Sequence, residues 1–96
     1  MKRRVLVEDP MGKFLKIQMD FDDEINEILI TGDFFAHPEE AIDKLQEGLK
    51  GTRADPVEIR KVLEEFFSRK EVRLYGISLE GLFSGILECL GEESEN

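Results

Sequence analysis

Cysteine and histidine each occur only once, at Cys89 and His37. A single thiol excludes an intramolecular disulfide and fits a reducing, cytoplasmic setting. One thiol and one imidazole fall short of the ligand set of a soft-metal site. No Ser-His-Asp arrangement can be argued from a lone histidine either. Basic residues are also in short supply. There are 13 Lys and Arg against 22 Asp and Glu, a formal net charge of −9. A nucleic-acid surface needs clustered cations to displace counterions from phosphates, so no such partner is expected. The one dense basic run, Lys2-Arg3-Arg4, reads as a solvated arm at the terminus. No apolar run approaches the ~18–20 residues that cross a bilayer, so no membrane partner is expected. Asp9, Pro10 and Gly12 interrupt the first apolar run too early for a signal peptide. Walker-type and dinucleotide-binding loops are missing; Gly12-Lys13 alone is too short to count.

What remains describes a small folded domain. Its 96 residues allow one unit, 1–96, with a core over about 4–91 and a polar tail at 92–96. Hydrophobic residues make up 41% of the chain, including seven Phe, which opposes disorder despite the charge. A chain of this size buries roughly 60–65% of its unfolded surface. That supports one compact core and leaves little interior for a deep ligand cavity.

The front third carries strand patterns. Val5 and Val7 alternate within Arg4–Glu8, and Asp9-Pro10-Met11-Gly12 then breaks the chain. Over 13–21, Leu15, Ile17, Met19 and Phe21 alternate with Lys16, Gln18 and Asp20, so one face is buried and one wet. After the polar turn Asp22-Asp23-Glu24, a second strand over 25–31 completes an antiparallel hairpin. The remainder is helical. A first helix is expected from Pro38, with Glu39 and Glu40 in its first turn, a stripe of Ala41, Ile42, Leu45 and Leu49, and Gly51 as its stop. Asp55 caps a second helix, with Glu58 placed as in a capping box and Ile59, Val62, Leu63, Phe66 and Phe67 as its stripe. Residues 70–75 read as a short strand or an extended connection. Ser78 caps a third helix with the stripe Leu79, Leu82, Phe83, Ile86, Leu87 and Leu90, which Gly91 ends. Helical stripes and a one-faced sheet satisfy each other by stacking. The fold class is therefore α+β: a small antiparallel sheet, a hairpin plus a short N-terminal strand, with about three helices packed on one face.

Candidate chemistry is sparse. His37 reads as a surface or capping residue, and Cys89, outside the main stripe of the last helix, as a partly buried thiol. The acidic cluster Asp20, Asp22, Asp23 and Glu24 lacks the spacing of a calcium loop and reads as a solvated hairpin tip. One run resists a bland reading: Gly32, Asp33, Phe34 and Phe35. Two adjacent aromatics leaving a strand point to different sides. Either one anchors the core while the other faces a partner, or both plug the space under the first helix. Of the two, Phe35, nearer the helix, is expected in the core. Gly32 is expected to permit a special backbone angle or a close approach, and Asp33 to accept from helix-start amides or pair with a partner's cation.

Several segments together resemble a known family. They are Pro10-Met11-Gly12-Lys13-Phe14-Leu15, Ile30-Thr31-Gly32-Asp33-Phe34-Phe35 followed by Pro38-Glu39, Leu49-Lys50-Gly51, and Tyr75-Gly76-Ile77-Ser78. The chain resembles the C-terminal accessory domain of lipoate–protein ligases, in the form carried as a separate small subunit by two-subunit, archaeal-type enzymes. The resemblance spans about residues 9–90. It departs at the hairpin turn, where Asp23-Glu24 stands in place of an acidic residue followed by Gly, and at Leu79, where Pro is common. The resemblance implies a cytoplasmic, non-catalytic subunit that forms a heterodimer with a ligase catalytic subunit. That partner would hold ATP with Mg and lipoate, form lipoyl-AMP, and pass the lipoyl group to a lysine of an acceptor domain. This chain would bind no cofactor or metal and supply no catalytic residue, and its partner interface would include Gly32, Asp33, Phe34 and Phe35. The residues alone leave a second class open, a small acidic α+β adaptor or scaffold unrelated to lipoylation. An iron–sulfur scaffold is disfavoured within that class because Cys89 is the only cysteine.

Overall fold

The computed structural model describes residues 1–91. Its elements are, in chain order, β1 (Lys2–Glu8), β2 (Phe14–Phe21), β3 (Ile25–Gly32), β4 (Phe35–His37), α1 (Ala41–Leu49), α2 (Pro56–Phe67), β5 (Arg73–Tyr75) and α3 (Leu79–Leu90). Strands β1, β2 and β3 form an antiparallel sheet in that order, and β4 pairs with β5 as a separate two-stranded ribbon. The class is α+β.

The period-2 pattern decides which side of the sheet is covered. Leu15, Ile17, Met19 and Phe21 from β2 join Ile25, Ile28 and Ile30 of β3 in the core, with Val5 and Val7 of β1 half-buried beside them. The opposite face carries Lys16, Gln18 and Asp20 and stays open. Helix α3 lies over β1 and β2, and α1 lies against β3. Helix α2 rests on α1 and α3 rather than on the sheet. Arg60 fastens it there: its Nη2 donates to Glu80 Oε2 at 2.8 Å, its Nε to Glu64 Oε2 at 3.0 Å, and its guanidinium lies 5.0 Å from the centre of the Phe83 ring. That guanidinium holds the Glu80 carboxyl below the usual carboxylate range.

Several local expectations shift. The basic run is no arm: Lys2, Arg3 and Arg4 are strand residues opposite Asp20, Met19 and Gln18. The Arg3 guanidinium sits beside Gly91 at the carboxyl end of α3, where a cation complements the helix dipole. Helix α1 begins at Ala41, because a turn closed by Ala41 N–H onto the Pro38 carbonyl (2.9 Å) precedes it. Asp55 caps α2 by accepting from Val57 N–H at 3.0 Å, but the reciprocal half of the capping box does not form. The Asp55 N–H donates instead to the Arg53 carbonyl, and Glu58 pairs with Lys61. Finally, the buried side of α3 is Leu82, Ile86 and Cys89, with Leu79, Phe83, Leu87 and Leu90 only half-buried. Gly81 and Gly85 bring α3 so close to the first strands that a β-carbon on Gly85 would overlap Ile17. The close approach turns Cys89 fully inward, against the expectation of a partly buried thiol. Burial pushes the thiol up to about 11.

Candidate functional site

The β3–β4 link emerges at the end of the sheet where β2 begins. Gly32 lies opposite Leu15 in the register, and a β-carbon there would overlap the Phe14 carbonyl oxygen. Both roles expected for Gly32 are met: its φ of +158° is one that L side chains rarely adopt, and its close approach leaves no room for a β-carbon. The next residue continues the ladder: Asp33 N–H donates to that same Phe14 carbonyl at 3.4 Å. The Asp33 side chain is exposed and accepts no hydrogen bond among the described residues, so the expected contact with helix-start amides does not occur.

The two phenylalanines part company as strand geometry requires, but in the reverse of the expected order. Phe34 is half-buried and packs against the core, while Phe35 is 76% exposed. The reason is a two-stranded ribbon: the short strand that the sequence allowed over 70–75 forms at 73–75, and it pairs with one at 35–37 that the sequence did not announce. Residues 35–37 pair with 73–75, Phe35 opposite Tyr75, Ala36 opposite Leu74, and His37 opposite Arg73. Ala36 and Leu74 point inward and half-buried, so Phe35, Tyr75, His37 and Arg73 share the outer face of the ribbon. Tyr75 is itself 56% exposed, and directly opposed residues hold their β-carbons about 5 Å apart. Phe35 and Tyr75 are thus neighbouring exposed aromatics on the ribbon. A third exposed aromatic, Phe14, belongs to the strand that carries Asp33 on its carbonyl. Gly76 closes the ribbon at φ +87°, and a β-carbon there would lie 2.9 Å from the Lys13 side chain and 3.5 Å from the Asp33 carbonyl. The structure therefore gathers segments 13–14, 32–35 and 75–76 at one end of the domain.

Sequence reasoning missed two residues here. Tyr75 is the lone tyrosine, and only the pairing shows that it flanks Phe35. Asp9 is the other, the one buried charged side chain among the described residues, 1% exposed. Its Oδ1 accepts from Ser78 N–H at 2.9 Å and Ser78 Oγ–H at 3.0 Å, and its Oδ2 accepts from Met11 N–H at 2.9 Å. Ser78 Oγ in turn accepts from Gly81 N–H at 3.1 Å, capping α3. Asp9 thus ties the β1–β2 turn to the start of α3 and fixes this end of the domain. Asp-Pro at a turn signals local punctuation, and nothing in it announces a partner 69 residues away.

Comparison with known proteins decides the family. The profile described as Bacterial lipoate protein ligase C-terminus matches residues 12–86. The chain belongs to this family. That match contains the whole 32–35 run and ties the lipoate ligase domain to protein lipoylation, which removes the unrelated adaptor as an alternative. No curated protein matches the sequence. Among solved structures, the domain is similar to a chain from the structural analysis of an archaeal lipoylation system, a bi-partite lipoate protein ligase and its E2 lipoyl domain from Thermoplasma acidophilum. That similarity has a TM-score of 0.75 and 24% identity, covering 90% of this chain and 97% of that one. At that identity the likeness concerns the fold.

Among the described residues no catalytic constellation surrounds the aromatic end. The exposed His37 is a ribbon residue opposite Arg73, and Cys89 is buried near the carboxyl end of α3, against Ile17 of the sheet. A concavity of about 620 Å³, open to solvent, lies elsewhere; Lys2, Arg4, Gln18, Asp20, Glu27 and Leu29 help to line it. Among the described residues no helix is long and apolar enough to cross a membrane. What the aromatic end offers chemically is contact: exposed rings and a carboxylate without a partner among the described residues, held on paired main chain.

Proposed function

We propose that this domain is a non-catalytic accessory subunit of a lipoate–protein ligase, acting beside a separate catalytic chain. The observation that carries the reading is the family match over residues 12–86. In support, the similar archaeal chain has nearly the same length and comes from a bi-partite ligase. The catalytic chain holds lipoate and ATP with Mg. Lipoate's carboxylate displaces pyrophosphate from ATP to give lipoyl-AMP. A lysine of the acceptor domain then takes the lipoyl group and releases AMP. The role of this chain is to support the first step through an interface at Gly32, Asp33, Phe34 and Phe35. Phe34 holds the run to the core, while Phe35 and Asp33 meet the partner. A desolvated aromatic is the usual anchor of such a contact.

The test measures lipoate-dependent pyrophosphate release by the catalytic chain with and without this subunit. Addition should raise the rate, and Phe35→Ala should reduce that gain while leaving the isolated domain folded. A catalytic chain that is equally active alone, or that shows no association in size-exclusion chromatography, would overturn the reading.

A further inference from the structure

The two edges of the three-stranded sheet are treated differently. On β3, Ile30 N–H is taken by Gln46 Oε1 at 2.8 Å, Ile25 N–H by the Thr52 carbonyl, and the Ile25 carbonyl by Gly51 N–H. On β1 the outer edge has no partner among the described residues. Which groups it presents follows from the ladder. Met1 and Phe21 exchange main-chain bonds in both directions, each 2.8 Å. Bonded and outward-facing residues alternate in an antiparallel pair. Arg3, Val5 and Val7 therefore bond to β2, and the N–H and C=O groups of Lys2, Arg4, Leu6 and Glu8 point outward. The side chains of these same four residues lie on the open face, and Leu6 is 66% exposed.

An open edge is a template for another strand, and charges along it normally deter arbitrary pairing. Here the order of those charges selects an occupant. Along the edge the sequence reads Arg4, Leu6, Glu8. Turned around, it is its own complement. We propose that β1 pairs antiparallel with β1 of a second copy of this chain, Leu6 opposite Leu6 and Arg4 opposite Glu8, joining two sheets into one of six strands. This register uses only outward-facing amides and gives ~six main-chain hydrogen bonds. It covers two exposed leucines, sets an Arg–Glu pair on each side of them, and brings Val5 opposite Val7 on the inner face. Moving the register by two residues in one direction sets Arg4 against Leu6 and Lys2 against Glu8; in the other it sets Leu6 against Glu8 and Arg4 against Pro10. In both, each Leu6 faces a charged residue and the contact between the two exposed leucines is lost. The arrangement leaves Phe35 and Tyr75 outside the contact, so it is compatible with the proposed ligase interface and independent of it. The contact is small, and affinity in the range of about 10–100 µM is expected of it.

Sedimentation of the full chain over a concentration series tests the proposal. The wild type should dimerise, with the amides of Arg4, Leu6 and Glu8 gaining exchange protection as concentration rises. Leu6→Pro should abolish the dimer and leave the domain folded, because the Leu6 N–H is unused in the free chain. Arg4→Glu and Glu8→Arg should each be monomeric alone and dimerise when mixed, since the mixture restores both ion pairs. A wild type that stays monomeric to about 1 mM overturns the proposal. So does a dimer that Leu6→Pro leaves intact, or single variants that fail to rescue each other on mixing.

Discussion

Asp9 is the residue whose loss should be felt most per atom removed. Replacing it by Ala strips the acceptor from Ser78 N–H, Ser78 Oγ–H and Met11 N–H at once. Met11 is 59% exposed, so water can take over its amide. Ser78 lies against the buried start of α3, where water has little access, and a buried donor left unpaired costs about 1–3 kcal/mol. Bonds to a carboxylate are the stronger kind, while removing the charge also removes its desolvation penalty. The net expectation for Asp9→Ala is a loss of about 2–4 kcal/mol, a substantial part of the ~5–15 kcal/mol that holds a typical domain together. Asp9→Asn should cost roughly half as much. Its amide oxygen can still serve Ser78, but its NH₂ group then faces the Met11 N–H. Urea denaturation followed by circular dichroism measures both, with the slope of the transition unchanged. Hydrogen exchange at Ser78 should accelerate in Asp9→Ala before global unfolding does. If Asp9→Ala lies within ~0.5 kcal/mol of wild type, the view of Asp9 as the tie between the β1–β2 turn and α3 is wrong.

Other substitutions should separate in the same way. Phe34→Ala should destabilise the domain by about 2–3 kcal/mol in denaturant titration, whereas Phe35→Ala and Tyr75→Ala should stay within ~0.5 kcal/mol and act on partner binding instead. Gly81→Ala should cost more than a typical helix substitution, because the added carbon overlaps the Asp9 carboxylate; a gain in melting temperature would contradict the packing. Cys89 should be inert to a thiol reagent until the domain unfolds. Its raised value also makes a pH prediction. Below the ordinary thiol value near 9 both states are protonated and nothing is lost. As pH rises from 9 to about 11 the unfolded thiol ionises first and stability falls. Cys89→Ala should remove that component, on the order of 2 kcal/mol, when its alkaline stability profile is set against the wild type.

Much of this domain was legible along the chain because the signals are local. The alternation in β2, the Asp55 and Ser78 caps and the stops at Gly51 and Gly91 each depend on neighbours within one turn or one strand. The candidate run 32–35 was legible as unusual for the same reason: two adjacent aromatics must face opposite ways. Which way they face was not legible. The choice depends on β5, a three-residue strand some 40 positions later with no periodicity of its own. Likewise the α3 stripe predicted from hydrophobicity ran about one position off, because glycines carry no hydrophobic signal and yet decide how closely the helix approaches the sheet.

By itself, then, the order of residues determined the elements, the buried face of the sheet and the absence of a familiar catalytic motif. It also contained the Arg4-Leu6-Glu8 order along β1, but not the fact that β1 is an uncovered edge. Only the tertiary structure decided that Asp9 is buried, that Tyr75 stands beside Phe35, that Cys89 faces the sheet, and that one edge is capped while the other has no partner among the described residues. The physical reason is range. Strand alternation, helical stripes and caps are set by interactions a few residues apart. Burial of a carboxylate, pairing of a short ribbon and exposure of an edge depend on which distant segment arrives opposite, and that is settled only when the whole core closes.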